Sequence, residues 1–172
     1  MKVLKNGVPA EYLRATEEIF KRYKSLGDKA FEQLDDDDFY YRHDEDSNSI
    51  SILIQHISGN LISRFTNFLN SDGEKPNRSR DEEFEEQNLS RKKLIEKWEE
   101  GWKIFFVTFE RLKEDDLVKV ITIRNEPHSV IEALNRAAAH YAYHVGQIVM
   151  PAKQIKKSEW KTLSIPKKKS GR

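Results

Sequence analysis

His140 and His144 stand four residues apart in the segment His140-Tyr141-Ala142-Tyr143-His144. A helix turns about 100° per residue, so positions i and i+4 fall about 40° apart on one face and two imidazoles placed there can reach one ion. Counted from Tyr141, the centre of an apolar stripe with Leu134, Ala137, Val145 and Ile148, His144 and His140 lie at about −60° and −100°. That is the flank of the buried face, where a side chain can look into a space between helices. His56 has the same setting in an earlier segment, at the edge of a stripe made by Ile50, Leu53, Ile57 and Leu61. Three histidines on two flanks can converge. Three neutral imidazoles suit a borderline divalent ion such as Zn²⁺ or Ni²⁺, and three protein ligands leave positions open for water or a thiolate. The competing reading is that an i,i+4 pair without the Glu of a zincin motif arises by chance and packs as ordinary histidine. His43 and His128 fall in expected loops and read as structural or exposed.

The chain has no cysteine. Disulfides, thiolate ligands, iron–sulfur clusters and a cysteine nucleophile are excluded, and any thiol chemistry must come from a bound molecule. Gln147, three residues after His144, is placed to orient a group bound to a metal. Asn60 and Arg64, on successive turns beyond His56, are placed to hold a polar or anionic tail, although each also reads as a packing, capping or surface residue. No carboxylate stands near the two histidine flanks as a general base, which disfavours metal-assisted hydrolysis. Asp72, Arg78, Arg80 and Asp81 lie in a long polar stretch and are expected to order it through ion pairs.

Four segments carry the helical period that could position these residues. The first, at about 10–34, repeats Tyr12, Ile19, Tyr23, Leu26, Ala30 and Leu34 at steps of three, four and seven. A second, at about 49–70, begins after the polar run His43–Asn48 and ends at the turn formers Ser71–Asn77. The third, at about 85–112, carries Leu94, Trp98, Trp102, Phe105, Phe109 and Leu112 as a wide aromatic stripe. Ser129-Val130-Ile131-Glu132 has the form of a capping box and opens a fourth at about 129–155. Between the last two, the β-branched run Leu117–Ile123 reads as a short extended connection. Amphipathic helices need each other's apolar faces, so the expected fold is an all-α four-helix bundle.

At 172 residues the chain is sized for one domain, and 34% charged residues with only 37% hydrophobic ones fits long amphipathic helices better than a β-sandwich. Thirty basic against 29 acidic residues leave a formal charge of +1, which provides no global field for nucleic acid. That neutrality conceals an asymmetry: residues 153–172 hold eight Lys/Arg and one Glu, a charge of +7, leaving −6 on residues 1–152. The expected organisation is therefore a bundle over 1–152 with a basic C-terminal extension over 153–172. A −6 body argues against nucleic-acid binding. No apolar run approaches the ~20 residues of a membrane span and the N-terminus lacks a signal-peptide apolar core, so a cytoplasmic location without membrane association is expected. The aromatic inventory of the first and third segments, Phe20, Phe31, Phe105 and Phe106, exceeds one stripe per helix and suggests a homodimer.

A histidine in the middle of the second helix followed by His-x-x-x-His in the fourth resembles the DinB-like superfamily. Asn48–Asn60, Asp72-Gly73-Glu74-Lys75-Pro76, Arg78-Ser79-Arg80-Asp81, His140–Ile148 and Trp160–Pro166 are similar, more closely, to a bacillus-type branch of it classed as a domain of unknown function. The resemblance implies an up-down-down-up bundle, commonly dimeric, with a metal on His56, His140 and His144. Relatives in that superfamily include bacillithiol S-transferases and mycothiol-dependent maleylpyruvate isomerase, in which a metal site serves a low-molecular-weight thiol. By that analogy the chain is expected to be a thiol S-transferase, the metal lowering the pKa of a bound thiol such as bacillithiol for attack on an electrophile. A bundle that binds metal or a small molecule without turnover, and a metal-dependent hydrolase, are the alternatives.

Overall fold

The computed structural model describes residues 7–166. Its helices are α1 (Val8–Phe31), α2 (Ile50–Phe65), α3 (Arg91–Phe109) and α4 (Val130–Lys156), with a two-stranded antiparallel hairpin, β1 (Val120–Ile123) and β2 (Glu126–Ser129), before α4. The all-α bundle expected from the four stripes is the observed class.

Cross-contacts fix the helix directions. The Tyr12 hydroxyl donates to Asn135 at 2.8 Å near the start of α1, and Lys156 pairs with Asp35 at 2.6 Å beyond its end, so α1 and α4 run parallel. A Cβ on Gly101 would sit 3.1 Å from the Ser58 backbone, and Thr108 donates to the Phe65 carbonyl at 2.9 Å, so α2 and α3 are parallel too. In contrast, Trp98 donates to Asp28 at 2.7 Å while Phe105 packs on Phe20 at 4.3 Å, which makes α3 antiparallel to α1. The result is the up-down-down-up order. Parallel neighbours in sequence need a long return, and the chain spends residues 66–90 on it.

The core is aromatic. Phe20, Trp98, Trp102, Phe105 and Tyr141 are completely buried, in edge-to-face or tilted contacts centred on Trp102 and Phe105. Phe20, Phe31 and Phe105 are consumed inside the single chain and Phe106 stacks on Trp102. Three of the four rings are thus used within the chain while Phe106 stays half-buried, which weakens the aromatic count as an argument for a dimer.

Helix ends differ from the periodicity in physically readable ways. Ser49 caps α2 by accepting from the Ile52 N–H at 3.1 Å, but α2 stops at Phe65 rather than 70, because Thr66 is extended and Asn67 takes φ of 50°. Helix α3 starts at Arg91 rather than 85: Asn88 has φ of 49° and Ser90 supplies the cap, while Asp81–Phe84 forms a separate 3-10 turn. The capping box of α4 is present as read, with Ser129 and Glu132 bonded reciprocally at 3.1 and 2.7 Å. Helix α4 continues through Pro151 to Lys156, close to its expected end at about 155. Residues 157–166 then fold back on α1, where Gln33 bonds both the Lys161 N–H and its carbonyl. The remaining basic residues of the expected extension, at 167–172, lie outside the described residues.

The extended run before α4 becomes half of a hairpin. Arg124 and Asn125, both at positive φ, form its two-residue turn in the type I′ pattern. A left-handed arginine is costly, by about 1–2 kcal/mol. Asp72 compensates: its carboxylate accepts the Arg124 and Asn125 N–H groups at 2.9 and 2.8 Å and the Glu74 N–H at 2.6 Å. The loop after α2 is thereby pinned to the hairpin, and both are held over the flanks of α2 and α4.

Candidate metal centre

His56 on α2 and His140 and His144 on α4 meet in the space between the two antiparallel helices. The Nε2 atoms of His56 and His140 are 3.1 Å apart, and those of His144 and His140 are 3.0 Å apart. Metal–nitrogen bonds of about 2.0–2.1 Å put neighbouring ligand atoms about 2.9–3.4 Å apart, depending on whether the geometry is octahedral or tetrahedral. The observed spacing fits one ion. His56 and His144 are 4% and 2% exposed, and His140 is half-buried.

Outer partners orient two of the rings. Glu83 accepts from His56 Nδ1 at 3.0 Å, and the Gln147 side-chain oxygen accepts from His144 Nδ1 at 2.8 Å. With the proton held on Nδ1, the Nε2 lone pair points to the common centre, which is how histidine ligands are usually set. Phe84 packs against the His56 ring at 4.4 Å and Tyr143 against His144 at 4.0 Å, closing the sides. Burial, then repulsion from the neighbouring histidines and from Arg78 and Arg64, depresses the His140 pKa to about 3; burial and His56 bring His144 to about 4. Both are therefore neutral donors at pH 7.

Glu83 corrects the expectation that no carboxylate approaches the histidines. It lies in the 3-10 turn of the α2–α3 connection, 8% exposed, and Arg78 grips it bidentately at 2.7 and 2.6 Å. Burial works to raise its pKa, but Arg78 and His56 outweigh burial and hold it below the ordinary carboxylate range. It is an anion committed to Arg78 and His56, so it orients the His56 ring and is poorly placed to act as a base. Its approach depends on Gly59, one turn after His56, because a Cβ there would lie 2.7 Å from the Glu83 Cδ. No sequence signal singles out Glu83 among Asp81-Glu82-Glu83-Phe84-Glu85-Glu86; a glycine on the ligand-bearing face of α2 is the one trace.

The other expected site residues are distributed as follows. Gln147 bonds the far side of the His144 ring, so it orients the imidazole itself. Asn60 accepts from the buried Tyr141 hydroxyl at 2.9 Å, tying α2 to α4 beside the centre. Arg64 pairs with Glu74 at 3.3 Å, and both Asn60 and Arg64 line a cavity of about 340 Å³ into which the three histidines face. Of the loop residues, Arg78 does form ion pairs, with Glu83 and Glu74, whereas Asp72 orders the loop through backbone N–H groups; Arg80 and Asp81 pair with each other at the surface. His128 is half-buried in β2 and His43 exposed in the α1–α2 connection.

Comparison with curated proteins and with solved structures finds no match to the chain. A family model described as a protein of unknown function, DUF1572, matches residues 7–169. Since that span takes in all four helices, the hairpin and every residue of the three-histidine centre, the chain belongs to the DUF1572 family.

Proposed function

We propose that His56, His140 and His144 hold one divalent ion, of the zinc or nickel kind, and that the protein is a metal-dependent transferase that adds a low-molecular-weight thiol to an electrophile. The observation that carries the reading is the convergence of three Nε2 donors, with His140 and His144 held neutral by burial, on a cavity that no carboxylate lines among the described residues. A bound divalent ion supplies the pKa lowering that makes a thiol nucleophilic at neutral pH without a protein base.

The chain's own residues then do the positioning. Glu83 and Gln147 keep His56 and His144 in the donor tautomer. Phe65, Phe68, Phe84, Ile123 and Tyr143 give the cavity an apolar lining able to exclude water from the electrophile. A hydrolase working through bound water would gain from a general base, and Glu83 is already held by Arg78 and His56. The absence of cysteine supports an external thiol, and bacillithiol is the candidate suggested by the DinB-like resemblance, which the parallel α1/α4 and α2/α3 pairs support. Homodimer formation now rests mainly on that resemblance.

The test is to purify the chain without a histidine tag, determine its metal content, and assay bacillithiol, coenzyme A, cysteine and glutathione with a chromogenic electrophile. Thiol-dependent turnover that is lost in His144→Ala is expected. Equal rates in the two proteins would favour a non-catalytic binding bundle, and thiol-independent turnover that needs His144 would favour a hydrolase.

A further inference from the structure

Five arginines line the cavity over the three histidines: Arg64 from α2, Arg78 and Arg80 from the following loop, Arg124 from the hairpin turn and Arg136 from α4. Two enclosed carboxylates face them. Glu83 is spent on Arg78 and His56, and Glu74 is shared among Arg64, Arg78 and Arg124 at 3.0–3.3 Å. Arg80 has only Asp81, whose side chain is 95% exposed, and its guanidinium lies over the Phe84 ring at 5.0 Å. Among the described residues Arg136 makes no ion pair. The Nη1 of Arg64 is buried without a hydrogen-bond partner. A body that is −6 over residues 1–152 thus concentrates uncompensated positive charge in this one concavity.

Structural ion pairing does not account for the arrangement. A guanidinium is expensive to bury and offers five donors, so a buried donor without an acceptor is a cost that a ligand can remove. The arginines also come from four separate chain segments, two of them brought over the cavity by Asp72, which converges planar donors from several directions onto one volume. That is the way carboxylate and phosphate oxygens are recognised.

We propose that Arg64, Arg124 and Arg136 form an anion subsite beside the three-histidine centre, and that the ligand of this cavity is a small molecule carrying a dianion of carboxylate or phosphate oxygens at one end. Its other end reaches the histidines. That this ligand is a reactant rests on the metal–thiol reading above; that the anion binds does not. The hairpin is then part of the binding site: its turn holds Arg124 over the opening.

The experiment uses the full chain, stripped of metal with a chelator and desalted, titrated calorimetrically with inorganic phosphate, with succinate and with the neutral isostere succinamide. Either dianion should bind and weaken as salt is raised, and succinamide should not bind. Phosphate ahead of succinate would point to a phosphorylated ligand, and the reverse to a dicarboxylate. Arg136→Gln, at an exposed position, and Arg64→Gln should each weaken the dianion about tenfold. Arg42→Gln, an exposed arginine outside the cavity, should leave it unchanged. His140→Ala should abolish metal uptake in a parallel titration yet keep dianion binding within about threefold. Affinity equal in wild type and in both cavity variants, or no binding of either dianion at millimolar concentration, overturns the subsite. Failure of the metal reading would show separately, as wild-type protein that takes up no metal while the dianion titration is unaffected.

Discussion

Gly59→Ala separates local helix preference from the demands of the site. Gly59 is inside α2, where alanine is favoured over glycine by about 1 kcal/mol, so propensity alone makes the substitution stabilising. The methyl group would occupy the space of the Glu83 carboxyl, whose Cδ is 2.7 Å from the Cβ position. That carboxyl ends a flexible side chain and can move, but moving it breaks its bonds to His56 and Arg78. Disrupting a buried charged pair costs about 3–5 kcal/mol. The net expectation is a loss of about 2–4 kcal/mol, read from urea unfolding of metal-free protein. In a Glu83→Ala background the obstruction is gone, and the same substitution should stabilise by about 1 kcal/mol. The sign should therefore reverse between the two backgrounds, which a double-mutant cycle measures directly. Freed of Glu83, His56 also loses its orientation, so metal affinity in Gly59→Ala should fall about 10–100-fold. A stabilising Gly59→Ala in the wild-type background, with unchanged metal affinity, would refute the account of Glu83 as the group that orients His56.

Replacing His56, His140 and His144 together by alanine should abolish stoichiometric divalent-metal uptake measured by elemental analysis; retention at the wild-type ratio would move the site elsewhere. Phe20→Ala empties the centre of the aromatic core, where Phe20 touches Trp102, Phe105, Phe109 and Tyr141, and should cost about 3–5 kcal/mol in chemical denaturation. The Asp72 pKa is held at about 2: burial alone would raise it, and the N–H groups of Glu74, Asn125 and Arg124 prevail. A depressed carboxyl contributes stability that is complete above its unfolded pKa, near 3.9, and is lost as pH falls toward 2. Asp72→Asn should therefore be less stable than wild type at neutral pH, with the difference shrinking between about pH 4 and 2; a difference independent of pH would reject the role given to its charge.

The bundle was legible because its signal is periodic and local. Leu94, Trp98, Trp102, Phe105 and Phe109 recur at helical steps, and all five are buried in α3 as that spacing requires. The three histidines could be placed for a related reason: their angle from the centre of an apolar stripe puts them at the junction of core and cavity. Boundaries were less readable where an asparagine adopts a left-handed backbone beside a helix end, as Asn67 does after α2 and Asn88 before α3, since asparagine does not exclude a continuing helix. Pro151 does not mislead, because the fourth stripe reads through it to about 155 and α4 runs through it to Lys156. It removes one N–H donor, but Tyr141, Val145, Ile148 and Ala152 remain buried on one continuous face across it, so packing holds the helix together there.

What the sequence withheld belongs to the 66–90 connection and the hairpin. Arg78 and Glu83 form a buried bidentate pair five residues apart, yet Arg80 and Glu85 stand at the same spacing in the same charged segment. Only the fold decides which pair is drawn inward, and it does so through features with no period: Gly59 vacates the surface of α2, and Asp72 captures the hairpin turn. The same two features bring an oriented His56 and an overhanging Arg124 to one cavity. The metal centre and the anion subsite are consequently coupled through a loop, so the two should be separable by mutation within their own side chains but lost together when Asp72 can no longer pin the loop to the hairpin. Asp72→Ala, still folded by circular dichroism, is expected to weaken both metal and dianion binding, whereas loss of one alone would show that the loop positions a single site.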